Sequence, residues 1–425
     1  MKKVLIGVFL TLVLVAAAFA GAQVIGRVAV PEVQASTAVA TPTEQASTDA
    51  LTQSDVLTSL EDALTSVYDK VSPSVVYIEV TQIAQVTTMR SPWGSQQQPD
   101  QQQETTGSGT GFVWDKEGHI VTNNHVVEDA DEITVTFSDG TTVPAKVVGT
   151  DENSDLAVLS VDVDAAKLTP VTLGDSTQVK VGQLTVAIGN PFGLENTLTV
   201  GFVSAIGRSL PVDTDTDSSS STYSSTSSYT IPDVIQTDAS INPGNSGGVL
   251  LNSKGEVIGV TFAIYSSTGS SAGIGFAIPA STVNKVVPAL IKNGEYKSSW
   301  IGISGTSLTS ELAEAMDLSS DQRGVLIAEV VTGGPADDAG LQGSTEKAEI
   351  DGDSVEIGGD VLVAIDGQPI DSFDALTIYL ARSTTPGQEI TLTILRNGKE
   401  QSVKVTLGER PSTTSEALST DKAAS

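Results

Sequence analysis

The sequence predicts a mainly-β protein with a smaller α+β unit behind it. Two observations carry this. Between residues 107 and 275, short apolar runs follow one another, separated by turn formers such as Ser138-Asp139-Gly140 and Ser253-Lys254-Gly255, with no strand–helix–strand alternation. After a helical stretch at 282–292 and a short connection at 293–299, the strand pattern restarts with its own glycine turns, which marks a separate unit. The first region has the signature of a β-barrel or a β-sandwich.

Taken in order, the elements begin with a helix at 55–71, where Leu57, Leu60, Leu64, Val67 and Val71 repeat at helical spacing. A strand at 75–80 follows. Residues 85–106, rich in Gln and interrupted by Pro92 and Pro99, are expected to form a flexible loop. Strands are then expected at 111–114, 119–122, 132–137, 142–150, 156–161, 184–188, 197–205, 249–251 and 257–264. A Ser, Thr and Asp run breaks the series, so 209–231 is expected to be a second flexible loop, too polar to pack.

Composition removes several functions. With 52 acidic against 22 basic residues and a net charge of −30, the surface repels polyphosphate, so nucleic acid is not an expected partner. The chain has no cysteine, which excludes thiol catalysis, disulfides and Cys-based zinc sites, and two histidines leave little for a His-based metal site. Neither a metal nor a cofactor is expected. Residues 1–26 open with Met1-Lys2-Lys3, continue as an uncharged apolar run and end in small residues, which suits an export signal or a membrane anchor. Either places the remainder outside the cytoplasm. Residues 27–54 read as a disordered tether, and 410–425 as a disordered tail.

Two distant stretches suggest chemistry. Gly244-Asn245-Ser246-Gly247-Gly248 can expose a serine hydroxyl while glycines let neighbouring N–H groups converge on an oxyanion, although alone it also fits an ordinary hairpin turn. His125, in Thr122-Asn123-Asn124-His125-Val126-Val127, is placed at the end of a strand among apolar neighbours and can serve as the base. The other histidine, His119, lies beside Glu117-Gly118 in a turn and reads as solvated. Glu128, Asp129, Asp131 and Glu132 form a charge run that reads as a solvated face. Asp155 differs, because it opens the apolar strand Leu156-Ala157-Val158-Leu159 and must find a hydrogen-bonding partner there; His125 can supply it. The order His, Asp, Ser is that of the chymotrypsin-type proteases, two β-barrels with the site between them.

These segments, together with Thr110-Gly111-Phe112-Val113, Ala187-Ile188-Gly189-Asn190-Pro191-Phe192-Gly193 and Gln236-Thr237-Asp238-Ala239, resemble in order the motifs of the HtrA/Deg family of trypsin-like serine proteases. The resemblance implies a chymotrypsin-like double β-barrel protease domain at 55–292, with Ser246 as nucleophile, His125 as base and Asp155 as its orienter. It also implies an oxyanion hole from the N–H groups of Gly244 and Ser246, joined by Asn245. Ser240 would form the floor of the primary pocket, and Ile241, Thr261, Phe262, Ala263 and Ile264 its walls. With no acid on that floor, cleavage after Val, Ala or Leu is expected.

Residues 298–409 carry Trp300-Ile301-Gly302-Ile303, Gly324-Val325-Leu326-Ile327, Pro335-Ala336-Asp337-Asp338-Ala339-Gly340-Leu341 and Gly359-Asp360-Val361-Leu362 in the order of a PDZ domain. That resemblance implies carboxyl-terminal peptides as partners, bound at Trp300, Ile301, Gly302 and Ile303. Residues 343–358 depart from the family pattern and read as an acidic surface loop. The implied activity is hydrolysis of misfolded extracytoplasmic proteins by a homo-oligomer, a trimer or a multiple of trimers, regulated through the PDZ domain. The alternative is a chaperone or peptide-binding scaffold whose protease domain is silent.

Overall fold

The computed structural model describes residues 53–85, 102–193, 195–213, 228–262, 273–350 and 352–411. Segments 1–26 and 412–425, and the tether up to residue 52, lie outside them. Among the described residues no helix is long and apolar enough to cross a membrane.

Helix α1 (Gln53–Val71) begins within the last two residues assigned to the tether. Only its second half packs: Val67 and Val71 are buried and Leu64 and Tyr68 lie against the core, while Val56, Leu57 and Leu60 are exposed. The helical period therefore marks a face whose amino-terminal half is uncovered.

The first barrel uses β1 (Val75–Gln85), β2 (Gln102–Val113), β3 (His119–Thr122), β4 (Glu132–Thr136), β5 (Thr142–Asp151) and β6 (Leu156–Val161). It closes in the order β1-β2-β3-β6-β5-β4. Side chains alternate across each strand, so Val76, Ile78, Ile120 and Leu159 fill the barrel while Val75, Val121 and Val158 face the neighbouring barrel. Burying each such side chain contributes about 1.5–3 kcal/mol relative to leaving it in water. Burial on both faces explains why these strands read as continuous apolar runs. A single helical turn, α2 (Asn124–Val127), follows β3.

The second barrel uses β7 (Leu184–Gly189), β8 (Thr197–Asp213), β9 (Ser228–Thr237), β10 (Val249–Leu251), β11 (Val257–Phe262) and β12 (Gly275–Pro279), closed as β10-β11-β12-β9-β8-β7. Two of these, β9 and β12, fall outside the strands expected from the sequence. Helix α3 (Ala280–Asn293) packs Val283, Val286, Val287 and Leu290 into the core shared by the barrels. It stops at Gly294, whose left-handed backbone lets its N–H reach the Leu290 carbonyl at 2.9 Å.

Both expected flexible loops are partly ordered ribbon. In 85–106, β2 already pairs with β1 from Gln85↔Gln102 to Thr81↔Thr106. Ladder hydrogen bonds and the Thr and Gln side chains suit an exposed two-stranded arm. In 209–231, β8 and β9 pair from Leu210↔Ile231 to Asp213↔Ser228. These two ends pack, because Ile231 is buried in the main core and Leu210 lies against it; residues 214–227, which hold the Ser, Thr and Asp run, and residues 86–101 of the first loop lie outside the described residues.

The carboxyl-terminal unit contains β13 (Ser299–Trp300), β14 (Ile303–Ser307), α4 (Ser310–Ala315), β15 (Val325–Val330), α5 (Pro335–Asp338), β16 (Glu346–Ile350) and β17 (Asp353–Ile357). It continues with β18 (Val361–Ile365), β19 (Gln368–Pro369), α6 (Phe373–Ser383), β20 (Glu389–Arg396), β21 (Lys399–Thr406) and β22 (Gly408–Glu409). The main sheet runs β14-β15-β18-β20-β21, which puts β14 at its edge. Residues 343–358 are not a loop but carry the β16–β17 hairpin, where Lys347 stands opposite Glu356 and Ile357 is buried. The apolar residues alternating with its acids give the hairpin an inward face, made of Ala348, Ile350 and Val355.

Candidate active site

The site lies where the barrels meet. β3 ends at Thr122, and His125 stands in the following helical turn rather than on the strand itself. Asp155 lies in the turn before β6, with a left-handed backbone (φ 51°) and no exposed surface. Its carboxylate takes two hydrogen bonds from His125: Nδ1–H at 2.7 Å and the backbone N–H at 2.9 Å. Its carbonyl receives the Asn124 N–H at 3.1 Å and the Asn123 side-chain amide at 2.9 Å. These bonds fix both the position of the histidine and its tautomer, leaving Nε2 for a proton acceptor's role.

One edge of the imidazole meets solvent, with 35% of the side chain exposed, while the ring of Phe262 stands edge-on to it at 5.3 Å. Burial pushes the His125 pKa down, but the charge and hydrogen bond of Asp155 and the more distant Glu128 outweigh it. The net result is a pKa above the ordinary histidine value.

Ser246 is buried in the tight turn that precedes β10. Its carbonyl accepts the Thr110 N–H at 2.8 Å, and Gly247 N–H donates to Thr261 O at 2.9 Å. Gly247 has φ 83°, and a Cβ there would run into the Thr110 carbonyl and the Thr122 hydroxyl. Glycine is thus what lets the serine turn close onto the strand that leads to His125. Gly244, at φ 91°, is pressed against Pro191 in the same way.

The expected site residues divide. His125, Asp155 and Ser246 are gathered at one seam. The Asn245 N–H is not available to an oxyanion, because it donates to Asn242 O at 2.9 Å within the turn. Thr261, expected as a pocket wall, turns its hydroxyl onto Asn245 O at 2.5 Å and so braces the serine turn. Ser240 is exposed, and its carbonyl is held by the Thr199 hydroxyl at 3.0 Å. Ile241 is buried beside Gly275, Phe262 contacts the imidazole, and Ala263 and Ile264 lie outside the described residues. His119 is not simply solvated: its Nδ1 pairs with Asp115 at 2.6 Å in the β2–β3 turn. Residues 107–111, whose glycines resemble a nucleotide loop, lie within β2.

In the carboxyl-terminal unit, Trp300 and Pro335 both crowd Gly302, Ile301 is buried, Gly302 is left-handed (φ 80°) and Ile303 opens the edge strand β14. A cavity of 380 Å³ is lined by Ile301, Ile303, Leu376 and Leu380 from this unit and by Ile231, Pro232 and Val286 from the double barrel. Sequence reasoning missed the residues that join the two. Arg382 in α6 grips Asp233 of β9 with two bonds of 2.5 and 2.6 Å. Lys285 of α3 donates to Ala381 O at 2.8 Å and Thr384 O at 2.9 Å, at the carboxyl end of α6 where a cation is favoured.

Residues 109–260 match the family described as trypsin-like peptidase domain, and 299–407 match the PDZ domain. The chain is 39% identical over 351 residues to "Protease Do-like 1, chloroplastic" of Arabidopsis thaliana, covering 83% of this chain and 73% of that protein. It is 42% identical over 309 residues to a probable periplasmic DegP-like serine endoprotease of Hahella chejuensis, covering 73% of this chain and 58% of that one. Among solved structures, the HtrA-type protease AlgW with a decapeptide superposes with a TM-score of 0.61 at 34% identity, covering 82% of this chain and 99% of that chain. A double β-barrel whose seam carries a histidine–aspartate pair and a glycine-rich serine turn is the frame of a trypsin-like serine endopeptidase. The chain belongs to the HtrA/DegP-like family of these proteases, with one PDZ domain after the protease domain.

Proposed function

We propose that this protein cuts misfolded or damaged proteins outside the cytoplasm, with Ser246 as nucleophile. The observation that carries the reading is the doubly bonded Asp155–His125 pair at the seam where the serine turn docks. In this reading Ser246 Oγ attacks the peptide carbonyl and His125 Nε2 takes its proton. The imidazolium formed is stabilised by Asp155 and then protonates the leaving amine. The N–H groups of Gly244 and Ser246 receive the oxyanion. The extracytoplasmic location is supported by the charged and apolar pattern of residues 1–26 and by the periplasmic naming of a relative.

Cleavage follows small or medium aliphatic residues. Ser240 and Ile241 supply no negative charge to receive Lys or Arg, and preferential cutting after Lys or Arg in a peptide-library digest would contradict this. A carboxyl-terminal peptide adds to the edge of β14, with its carboxylate at Trp300, Ile301, Gly302 and Ile303. Binding there regulates the protease, a reading supported by the cavity beside β14, which is also lined by the double barrel. A homo-oligomer, a trimer or a multiple of trimers, would cover the exposed Val56, Leu57 and Leu60 of α1.

The deciding experiment compares the wild-type protein with Ser246→Ala on unfolded casein. Casein should disappear only with the wild type. Equal loss with both proteins would sink the serine mechanism, and survival of casein with both would favour a silent scaffold.

A further inference from the structure

Thr110 is a fully buried threonine on β2, with a glycine on either side. All its polar groups are engaged: the N–H and hydroxyl across the barrel seam, and the carbonyl within its own barrel. Its N–H donates to Ser246 O at 2.8 Å. Its hydroxyl donates to Gly244 O at 2.6 Å and accepts the Asn190 N–H at 2.8 Å. Its carbonyl accepts the Thr122 hydroxyl at 2.7 Å, three residues before His125.

Peptide groups are planar, so fixing a carbonyl also fixes the N–H on the other side of that plane. Thr110 fixes the planes that follow Gly244 and Ser246. The plane between Asn245 and Ser246 is held separately by the Thr261 hydroxyl on Asn245 O. Gly244, with φ 91° and no Cβ, is the soft joint of the turn. Its carbonyl is anchored by the Thr110 hydroxyl from the opposite barrel.

We infer that Thr110 is a positioning residue for the hydrolysis reaction: it clamps the carbonyls of Gly244 and Ser246 on either side of the plane that Thr261 holds, and so keeps the backbone that carries the Gly244 and Ser246 N–H groups turned toward the oxyanion. This deepens the reading of Ser246 as nucleophile and rests on it. Removing the hydroxyl leaves the Gly244 carbonyl and the buried Asn190 N–H without their partner, and the glycine backbone at Gly244 is then free to rotate and carry its N–H out of line. The loss falls on the transition state, where the oxyanion exists, and not on substrate binding.

The test uses the full chain with an aliphatic fluorogenic peptide and a peptide boronic acid, which forms a tetrahedral adduct. Thr110→Val and Thr110→Ala should lower kcat about 10- to 100-fold, with KM almost unchanged and boronic acid affinity falling in step. Thr110→Ser, which keeps the hydroxyl, should stay within about threefold of the wild type. The acid limb of kcat/KM should not move, because the His125–Asp155 pair is untouched. Wild-type kcat in the Val and Ala variants, or an equal loss in the Ser variant, would overturn the assignment. So would a shifted acid limb, which would report general damage to the site. If the Val variant does not fold, the Ala and Ser variants decide. Ser246→Ala separates the two levels: activity in that variant refutes the nucleophile itself, whereas its silence beside fully active Thr110 variants refutes only the positioning role.

Discussion

His125 is pulled in two directions, and the balance gives a signed prediction. Burial disfavours its cation, while Asp155 and Glu128 favour it and prevail. Catalysis needs the neutral ring, so kcat/KM should rise with pH through a value above that of a free histidine. Asp155→Asn removes the favourable charge and leaves the burial. The acid limb should then move to lower pH, and kcat should fall on the order of 10³- to 10⁴-fold; an acid limb that stays put would show that Asp155 does not set the imidazole. By linkage, the stability from protonated His125 is complete below the unfolded-state pKa and lost as pH rises through the raised one. Gly247→Ala should abolish casein cleavage and lower the melting temperature, since the φ of 83° and the Thr110 carbonyl both oppose a Cβ. His125 and Asp155 were legible because a base and a carboxylate beside apolar strands need one another. The fate of the Asn245 N–H was not, because it depends on the turn bringing the Asn242 carbonyl back to it. Thr110 looks in the sequence like any strand threonine, and only the cross-barrel bonds distinguish it.

At the scale of elements, apolar runs locate most strands of the barrels, while the strands extend further into the flanks of the polar runs than the sequence suggests. The described ends of the Gln-rich and Ser-rich segments, 81–85 with 102–106 and 210–213 with 228–231, pair as ribbons because backbone hydrogen bonds need no apolar side chain, and Leu210 with Ile231 anchors the β8–β9 ribbon in the core. The period of α1 was read correctly, yet Leu57 and Leu60 remain exposed, since period shows which face is apolar and not what covers it. The join between α6 and β9 rests on Arg382 and the buried Asp233. If it restrains the protease, Arg382→Ala should raise basal cleavage of a fluorogenic peptide and reduce the further gain from an added carboxyl-terminal peptide. Asp233→Asn should do the same, and the double variant should add little, because both remove one interaction. Unchanged basal rates and unchanged peptide response in both would remove the join from the account of regulation.

Across the whole molecule, the protease and PDZ domains share a cavity, α3 reaches the carboxyl end of α6, and Arg410 returns to the interdomain connection through its N–H on Ser298 O at 2.9 Å. Chain order conveyed two domains but not this contact, which depends on charges scattered over Asp233, Lys285 and Arg382. Light scattering should give a mass of three chains or a multiple of three, and a monomer at working concentration would leave the exposed face of α1 without its proposed cover. The central claim is that the Asp155–His125 pair makes Ser246 a nucleophile. It is tested most directly by reacting the protein with a fluorophosphonate and mapping the adduct by peptide mass spectrometry. One adduct per chain on Ser246, lost in His125→Ala, is the predicted result; an adduct on another residue, or none in a folded wild-type protein that cleaves casein, would contradict it.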